Sequence, residues 1–500
     1  MMATMTMTGG ELVLALGRGE QVAGLHGDIR VPLSAVREVA VVRNPMAEVR
    51  GLRAPGLAVP GRTKIGTWRR AGSRSFVVAR RDVPAVRVAL SGARYDELLI
   101  SDAAATELAA RIRESAGLPA PVAEERVTFS SGDLTLGGTL ALPPAGTAPA
   151  DPAAAPASTG SASAGTALTC SASVGTASTG STPTGTASTG AVSGAGREPY
   201  PVALIITGSG PLDRDANHPR MPLGISRDLA HALARAGVAS FRYDKRGAGE
   251  SQGSFLAAGL NDNIDDARAA LAWLRTRPEI DPAAVFVIGH SEGAVIATAL
   301  GAEPAGPAAD LAGIVLLSPM AKTGEETLAW QTRQIAGDLP APVRVILRLL
   351  RTDIAAKQAE AVARLKATTT DVARIQGRRT NARWHREFIA FDPEPALRAL
   401  RAPVLAVTGA GDVQVDPADL DAIAATAGRD GGTAEGDAAK GYDTVTGDVT
   451  TVRVPELSHL LRRDPDGGGL RTYKQQIRRP VDPGLLSLVT DWITDRLPRA

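Results

Sequence analysis

The sequence predicts an α/β protein: a mostly parallel sheet flanked by helices, preceded by a small mainly-β domain with a C-terminal helix. Three observations carry that reading. Apolar runs at residues 202–206, 285–288 and 313–317 lack the alternation of half-exposed strands and suit strands buried on both faces. Stretches of helical periodicity separate them, giving a regular β-α-β-α order. One junction, AVFVIGHSEGA at 284–294, passes from strand to helix through Gly289-His290-Ser291-Glu292-Gly293, with the serine at the apex.

Composition narrows the classes. Five hundred residues exceed one ordinary domain. Lys+Arg 55 against Asp+Glu 53 leaves a formal charge of +2, no bias of the whole chain towards nucleic acid or membrane. A single cysteine, Cys170, excludes an intramolecular disulfide framework and a cysteine-rich metal site and fits a reducing compartment. The apolar run near the start, residues 12–16, is too short for a signal-peptide core or a membrane span. The expectation is a cytoplasmic protein with no transmembrane segment.

Residues 1–120 form the front domain. Strand-like runs lie at 11–16, 39–43, 75–78, 85–90 and 97–100, separated by Gly- and Pro-rich turns, and a helix at 102–115 with Asp102 as N-cap closes the segment. Several strands capped by one helix resemble a pleckstrin-homology-like barrel. Between Arg62 and Arg81 lie Lys64, Arg69, Arg70, Arg74 and Arg80 with no acidic residue. They form either a docking face for anionic head groups or a partner, or a solvated edge or loop.

The second domain spans 121–500. A hairpin opens it, with strands at 126–129 and 134–142 joined by Ser131-Gly132-Asp133. Residues 143–198 are almost wholly Ala, Gly, Ser, Thr and Pro, with GTASTG twice, and read as a disordered insertion that carries no chemistry. Cys170 sits inside it. The strand at 202–206 ends in Thr207-Gly208-Ser209-Gly210-Pro211-Leu212-Asp213-Arg214-Asp215. A helix with Leu229 and Leu233 follows, then a strand at 238–243 running into Asp244-Lys245-Arg246-Gly247. Ile264, Ala267, Leu271 and Leu274 mark the helix before the serine turn. Residues 320–398 interrupt the alternation with a helical pattern, including 343–350, and read as a lid. Its Trp330, Trp384, Phe388 and Phe391 either line a pocket or fasten the lid to the body. A strand at 403–408, a helix at 417–427, a loop insertion at 428–448 and a last strand at 449–454 complete the sheet. The terminal helix, 483–497, buries Leu485, Leu488, Val489, Trp492 and Ile493.

A serine hydroxyl needs a base to take its proton, and that base needs an orienting acid. Asp412 follows one late strand and His459 follows the last, in the chain order Ser, Asp, His. Asp416, Asp419 and Glu456 rival Asp412, although Asp416 reads as an N-cap. His290 lies inside the turn, too close in sequence to serve its neighbour. One oxyanion donor is expected from the Glu292 amide at the helix N-terminus, the other from the Ser209 amide, with Gly210 close behind.

TGSGPLDRD, RYDKRGAGES, IGHSEGA, GAGDVQV and LSHLLRR together resemble the alpha/beta-hydrolase superfamily, in a bacterial branch of serine esterases and dienelactone-hydrolase-like proteins. The resemblance implies Ser291, Asp412 and His459 as a triad, the Ser209 and Glu292 amides as the oxyanion hole, and no cofactor or metal. It implies a structural turn at Asp244 and Arg246, read as pairing within the loop; Asp213, Arg214 and Asp215 either shape the pocket or give structural support. The expected function is cleavage of a small-molecule carboxylic ester through an acyl-enzyme. Acyl transfer, thioester or peptide cleavage by the same triad remains open. So does a non-catalytic protein that binds an anionic surface or a partner; nucleic acid is not an expected partner.

Overall fold

The computed structural model describes residues 3–49, 51–70, 73–144, 198–218, 221–339, 353–428, 433–435, 444–446, 448–467 and 469–497, with scattered positions of 342–349. Almost all of the expected 143–198 insertion lies outside the described residues, with Cys170. So do much of the 428–448 loop and five of the eight residues of the helix expected at 343–350.

In the front domain, β1 (Thr4–Thr8), β2 (Glu11–Ala15) and β3 (Ile29–Pro32) make a three-stranded antiparallel sheet. A second sheet has the order β4-β8-β9-β7-β6-β5, from β4 (Val36–Val42), β5 (Leu52–Val59), β6 (Thr63–Arg70), β7 (Ser73–Arg80), β8 (Ala85–Leu90) and β9 (Glu97–Ser101). Only the β7–β9 pair in it is parallel. Leu12, Leu14, Phe76, Val86 and Leu98 share one core with Leu108 and Ile112 of the closing helix, Ala105–Ser115. Asp102 is not its N-cap, which is Ala104. The Asp102 carboxylate instead accepts the Ala104 amide at 2.8 Å, in a turn just ahead of the helix. The basic run between Arg62 and Arg81 is no loop; it forms the β6–β7 hairpin, with Thr63 opposite Arg80.

The second domain is built on a ten-stranded sheet of order β10-β11-β13-β12-β14-β15-β18-β21-β20-β19. Its strands are β10 (Ala123–Ser131), β11 (Leu134–Leu142), β12 (Tyr200–Ile206), β13 (Ala239–Tyr243), β14 (Ile280–His290), β15 (Gly313–Leu317), β18 (Val404–Gly409), β19 (Thr433–Glu435), β20 (Thr444–Thr446) and β21 (Val449–Val454). From β13 to β21 every pairing is parallel, and antiparallel hairpins extend both ends. The apolar runs read as doubly buried are so. Leu204, Phe241, Val287 and Leu316 pack under the helices Leu260–Leu274 and Glu292–Gly301. Ile205, Phe286, Val315 and Val407 face the helices Ile225–Arg235 and Pro483–Thr494 on the other side. The stretch expected as a plain loop at 428–448 differs in its described part. There β19 and β20 form a short hairpin that continues the ladder from β21, giving edge amides partners.

Between β15 and β18 lie the helices Gly324–Gly337, Ile354–Lys366, Ala382–Ala390 and Pro393–Ala399. A hairpin of β16 (Val372–Ile375) and β17 (Arg378–Asn381), absent from the sequence reading, interrupts them. Trp384 stacks on Phe388 with centroids 4.9 Å apart, and both pack with Phe391 against the main core. These three aromatics fasten the helical excursion to the body.

Candidate active site

The parallel strands all point the same way, so the turns that follow them gather at one edge of the sheet. The turns after β12, β13, β14, β15, β18 and β21 carry residues 207–210, Asp244, Ser291, Ser318, Asp412 and His459. Distance in sequence is thereby cancelled: 168 residues separate Ser291 from His459, and the sheet brings them within hydrogen-bond reach.

The serine turn is tight on both sides. A Cβ on Gly289 would collide with the Gly293 carbonyl, and one on Gly293 with the Ile206 carbonyl of β12. Ser291 itself sits at φ 57°, ψ −117°, a conformation costing an L-residue on the order of 1–3 kcal/mol. Its amide is held by the Leu317 carbonyl at 2.9 Å, which helps impose that shape.

His459 Nε2 lies 3.1 Å from Ser291 Oγ, and His459 Nδ1 lies 2.9 and 3.1 Å from Asp412 Oδ2 and Oδ1. With Nδ1–H donating to the carboxylate, Nε2 presents its lone pair to the hydroxyl. That is the tautomer a base for Ser291 requires. Asp412 Oδ1 also accepts the amides of Gln414 and Val415 at 2.8 and 3.0 Å. Burial pushes the Asp412 carboxyl up, but His459 and these donors outweigh it and hold it below the ordinary carboxylate value. The carboxylate is therefore charged and fully committed, able to orient an imidazole without taking its proton.

Two further residues belong to this cluster. Ser318, at φ 51° after β15, donates its hydroxyl to Asp412 Oδ2 at 2.8 Å. His290, set aside in the sequence reading as too close to its neighbour, reaches elsewhere: its Nε2–H donates to the His459 backbone carbonyl at 2.9 Å. Burial, then the adjacent His459, lower its pKa to about 3, so it is a neutral donor that positions the His459 loop. For Ser318, a hydroxyl directly after a buried strand was the available signal. For His290 there was none.

Among the rivals of Asp412, Asp416 and Asp419 are both occupied by Lys322. Asp416 does not cap the helix expected at 417–427; that helix runs Asp419–Ala427 with Ala418 as N-cap, and Asp416 accepts the Ala418 amide in the preceding turn. Asp244 and Arg246 do not pair with each other; within the loop Asp244 Oδ2 accepts the Glu250 amide at 2.8 Å. Asp244 takes Arg214 in a two-pronged contact (2.5 Å at Nη2, 3.1 Å at Nε), while Arg246 binds Asp266 and Asp262. Asp215 pairs with Arg242, and Asp213 accepts the Asp215 and Asn217 amides. All five residues are committed to structure.

The two expected oxyanion donors lie on the turn after the serine and on the loop after β12. Glu292 is the first residue of the helix Glu292–Gly301, so its amide has no carbonyl within that helix to bond. Ser209 is exposed in the loop after β12, whose Gly208 lies against Ser291: a Cβ there would sit 3.4 Å from the serine Cβ. Among the described residues, no group of three His, Cys, Asp or Glu is arranged to hold a metal ion.

Residues 223–438 match the family profile described as serine aminopeptidase, S33 (Hydrolase_4). Esterase EstD of Thermotoga maritima is 25% identical over 229 residues, 45% of this chain and 49% of that protein. An uncharacterized protein of Mycobacterium tuberculosis is 35% identical over 118 residues, 24% of this chain and 39% of its own. The chain thus spans half or less of the length of these curated relatives. Among solved structures, Est1E of Butyrivibrio proteoclasticus with ferulic acid bound aligns over 74% of this chain and 96% of its own, at 15% identity and a TM-score of 0.39. The described residues from Ala123 to Thr494 have the α/β-hydrolase fold, after a separate mainly-β region.

Proposed function

We propose that this protein is a serine hydrolase that cleaves a carboxylic ester through an acyl-enzyme. The observation that carries the proposal is the continuous relay from Ser291 Oγ through His459 to Asp412, with contacts of 3.1 and 2.9 Å. As His459 Nε2 takes the hydroxyl proton, Ser291 Oγ attacks the ester carbonyl. The Glu292 and Ser209 amides receive the negative charge on the former carbonyl oxygen. His459 returns the proton to the departing alcohol, leaving an acyl group on Ser291. A water, deprotonated by the same nitrogen, then releases the acid and restores the serine. Asp412 stabilises the imidazolium present in each half-reaction. Ser291→Ala should abolish hydrolysis of short p-nitrophenyl esters while the protein stays folded; full turnover by that variant would sink the proposal.

Peptide cleavage is the second reading, favoured by the description of the matched profile. The name of the Thermotoga relative favours the ester. Rates on a p-nitrophenyl ester and an aminoacyl p-nitroanilide separate them, and the ester should be the faster by at least a hundredfold.

For the front domain we propose a pleckstrin-homology-like role, docking on an anionic bilayer. Residues 1–120 hold 17 Lys+Arg against 11 Asp+Glu. Register places Leu52, Leu57 and Val59 on the β5 face shared with Ile65, beside which Gly24 of the helix Arg18–Gly24 packs. Val22, Leu25 and Leu52 are at least 70% exposed, an apolar patch with basic neighbours that suits a membrane surface. Full-length protein should sediment with phosphatidylglycerol-containing vesicles and not with phosphatidylcholine alone. Equal recovery with both would refute the docking role.

A further inference from the structure

A buried charge pair lies directly behind the serine turn. Lys245 Nζ is 2.9 Å from Glu292 Oε1, and the two side chains are 4% and 2% exposed. Asn263 Nδ2, from the helix Leu260–Leu274, donates to the same Oε1 at 2.8 Å. The lysine contact is an ion pair without hydrogen-bond alignment. Among the described residues, Lys245 Nζ and Glu292 Oε2 have no hydrogen-bond partner at all. Two charges buried with spare donors and lone pairs are an expensive arrangement, and an apolar pair of equal volume would be at least as stable.

Its position suggests what the pair does. Glu292 supplies the amide assigned to the oxyanion, so its own carboxylate is attached to the residue beside which negative charge must develop. Unpaired, that carboxylate would oppose the oxyanion in a site of low dielectric. Lys245 neutralises it. The lysine also holds the other flank, because its backbone amide donates to the Leu212 carbonyl at 3.3 Å, three residues beyond Ser209.

We propose that Lys245 is a positioning residue of the oxyanion hole, cancelling the Glu292 carboxylate and tying the nucleophile helix to the loop after β12. The inference rests on the serine-hydrolase reading above. It makes the two members of the pair unequal. Removing the cation exposes a carboxylate to the developing oxyanion, whereas removing the carboxylate leaves a cation nearby. A purely packing role would make both losses similar and would not be reversed by neutralising the partner.

The test is steady-state hydrolysis of p-nitrophenyl butyrate by Lys245→Met, Glu292→Gln, the double variant and Lys245→Arg, each checked for a cooperative thermal transition. Lys245→Met should lower kcat at least tenfold with KM within twofold. Glu292→Gln should lose less, Lys245→Arg should keep most of the activity, and the double variant should recover most of the Lys245→Met loss. The double variant, neutral at both positions, carries the test if Lys245→Met does not fold: it should then keep kcat within tenfold of the wild type. Overturning results are a Lys245→Met kcat within twofold of wild type, a loss confined to KM, a Glu292→Gln defect exceeding that of Lys245→Met, or a folded double variant with less than a tenth of wild-type kcat. Ser291→Ala is run in parallel. If it stays active, the serine-hydrolase reading falls. If it is dead while the Lys245 variants are normal, only this inference falls.

Discussion

Two buried aspartates on the same sheet edge take opposite roles in the proposed function. Asp244 follows β13 and Asp412 follows β18; both are at most 4% exposed, and each binds its neighbours through both oxygens. The difference lies in the partner. Asp244 faces the Arg214 guanidinium, which is charged at all times, so its electrostatic attraction is spent on the folded state. In the proposed mechanism Asp412 faces an imidazole that gains charge as it takes the Ser291 proton. Part of its attraction is therefore available only as the reaction proceeds, which is the condition for lowering a barrier. Residue type and burial do not distinguish a structural acid from a catalytic one; the titratability of its partner does.

That contrast can be broken by substitution. His459→Ala should lower kcat on p-nitrophenyl esters about a millionfold, and Asp412→Asn about ten-thousandfold, which stopped-flow and overnight assays together can resolve. Asp244→Asn should do the reverse. It leaves Arg214 short of a partner and should cost about 3 kcal/mol or more in urea unfolding, while kcat per folded molecule stays within a few-fold. A large kcat loss in folded Asp244→Asn would erase the distinction. Ser318→Ala removes one donor from Asp412 alone and should cost about 2 kcal/mol in stability, with kcat lower by roughly tenfold.

The smallest effect concerns His290. Its pKa is depressed in the fold to about 3, first by burial and then by His459, whereas an unfolded histidine titrates near 6.5. The unfolded chain therefore binds the extra proton between those values. The contribution of His290 is full above about pH 6.5 and is lost as pH falls towards 3, at about 1.4 kcal/mol per pH unit. Urea midpoints from pH 7 to pH 5 should fall less steeply in His290→Gln than in the wild type; identical slopes would contradict the assignment.

The two domains were unequally legible in the sequence. In the second, Val202–Ile206 and Val285–Ile288 are apolar runs because helices cover both faces, and the serine turn needs glycines that a one-dimensional pattern displays. In the front domain β1, β3, β5 and β6 escaped the reading. Strand β5 contains Pro55 and Gly56, and its register with β6 shifts between Arg53 and Gly56. A break of that kind is tolerated at a sheet edge and removes the alternation by which a strand is recognised. Ser291, Asp412 and His459, which the fold brings together, could be picked out because chain order and strand ends constrain them. The His290 bond to His459 and the Lys245–Glu292 pair join turns of different strands, and no local pattern encodes such contacts; Ser318 was marked only as a hydroxyl directly after a buried strand. For the same reason the pairing expected within the 244–251 loop holds only in part: Asp244 accepts the Glu250 amide there, but its ion pair with Arg214 and those of Arg246 with Asp262 and Asp266 reach other elements.

The most direct test of the central claim is the site of covalent labelling by a fluorophosphonate in the folded full-length protein, mapped by peptide mass spectrometry. A single adduct on Ser291 is expected, formed at least a hundredfold more slowly in His459→Ala. An adduct on another serine, or none in protein that is folded, would contradict it.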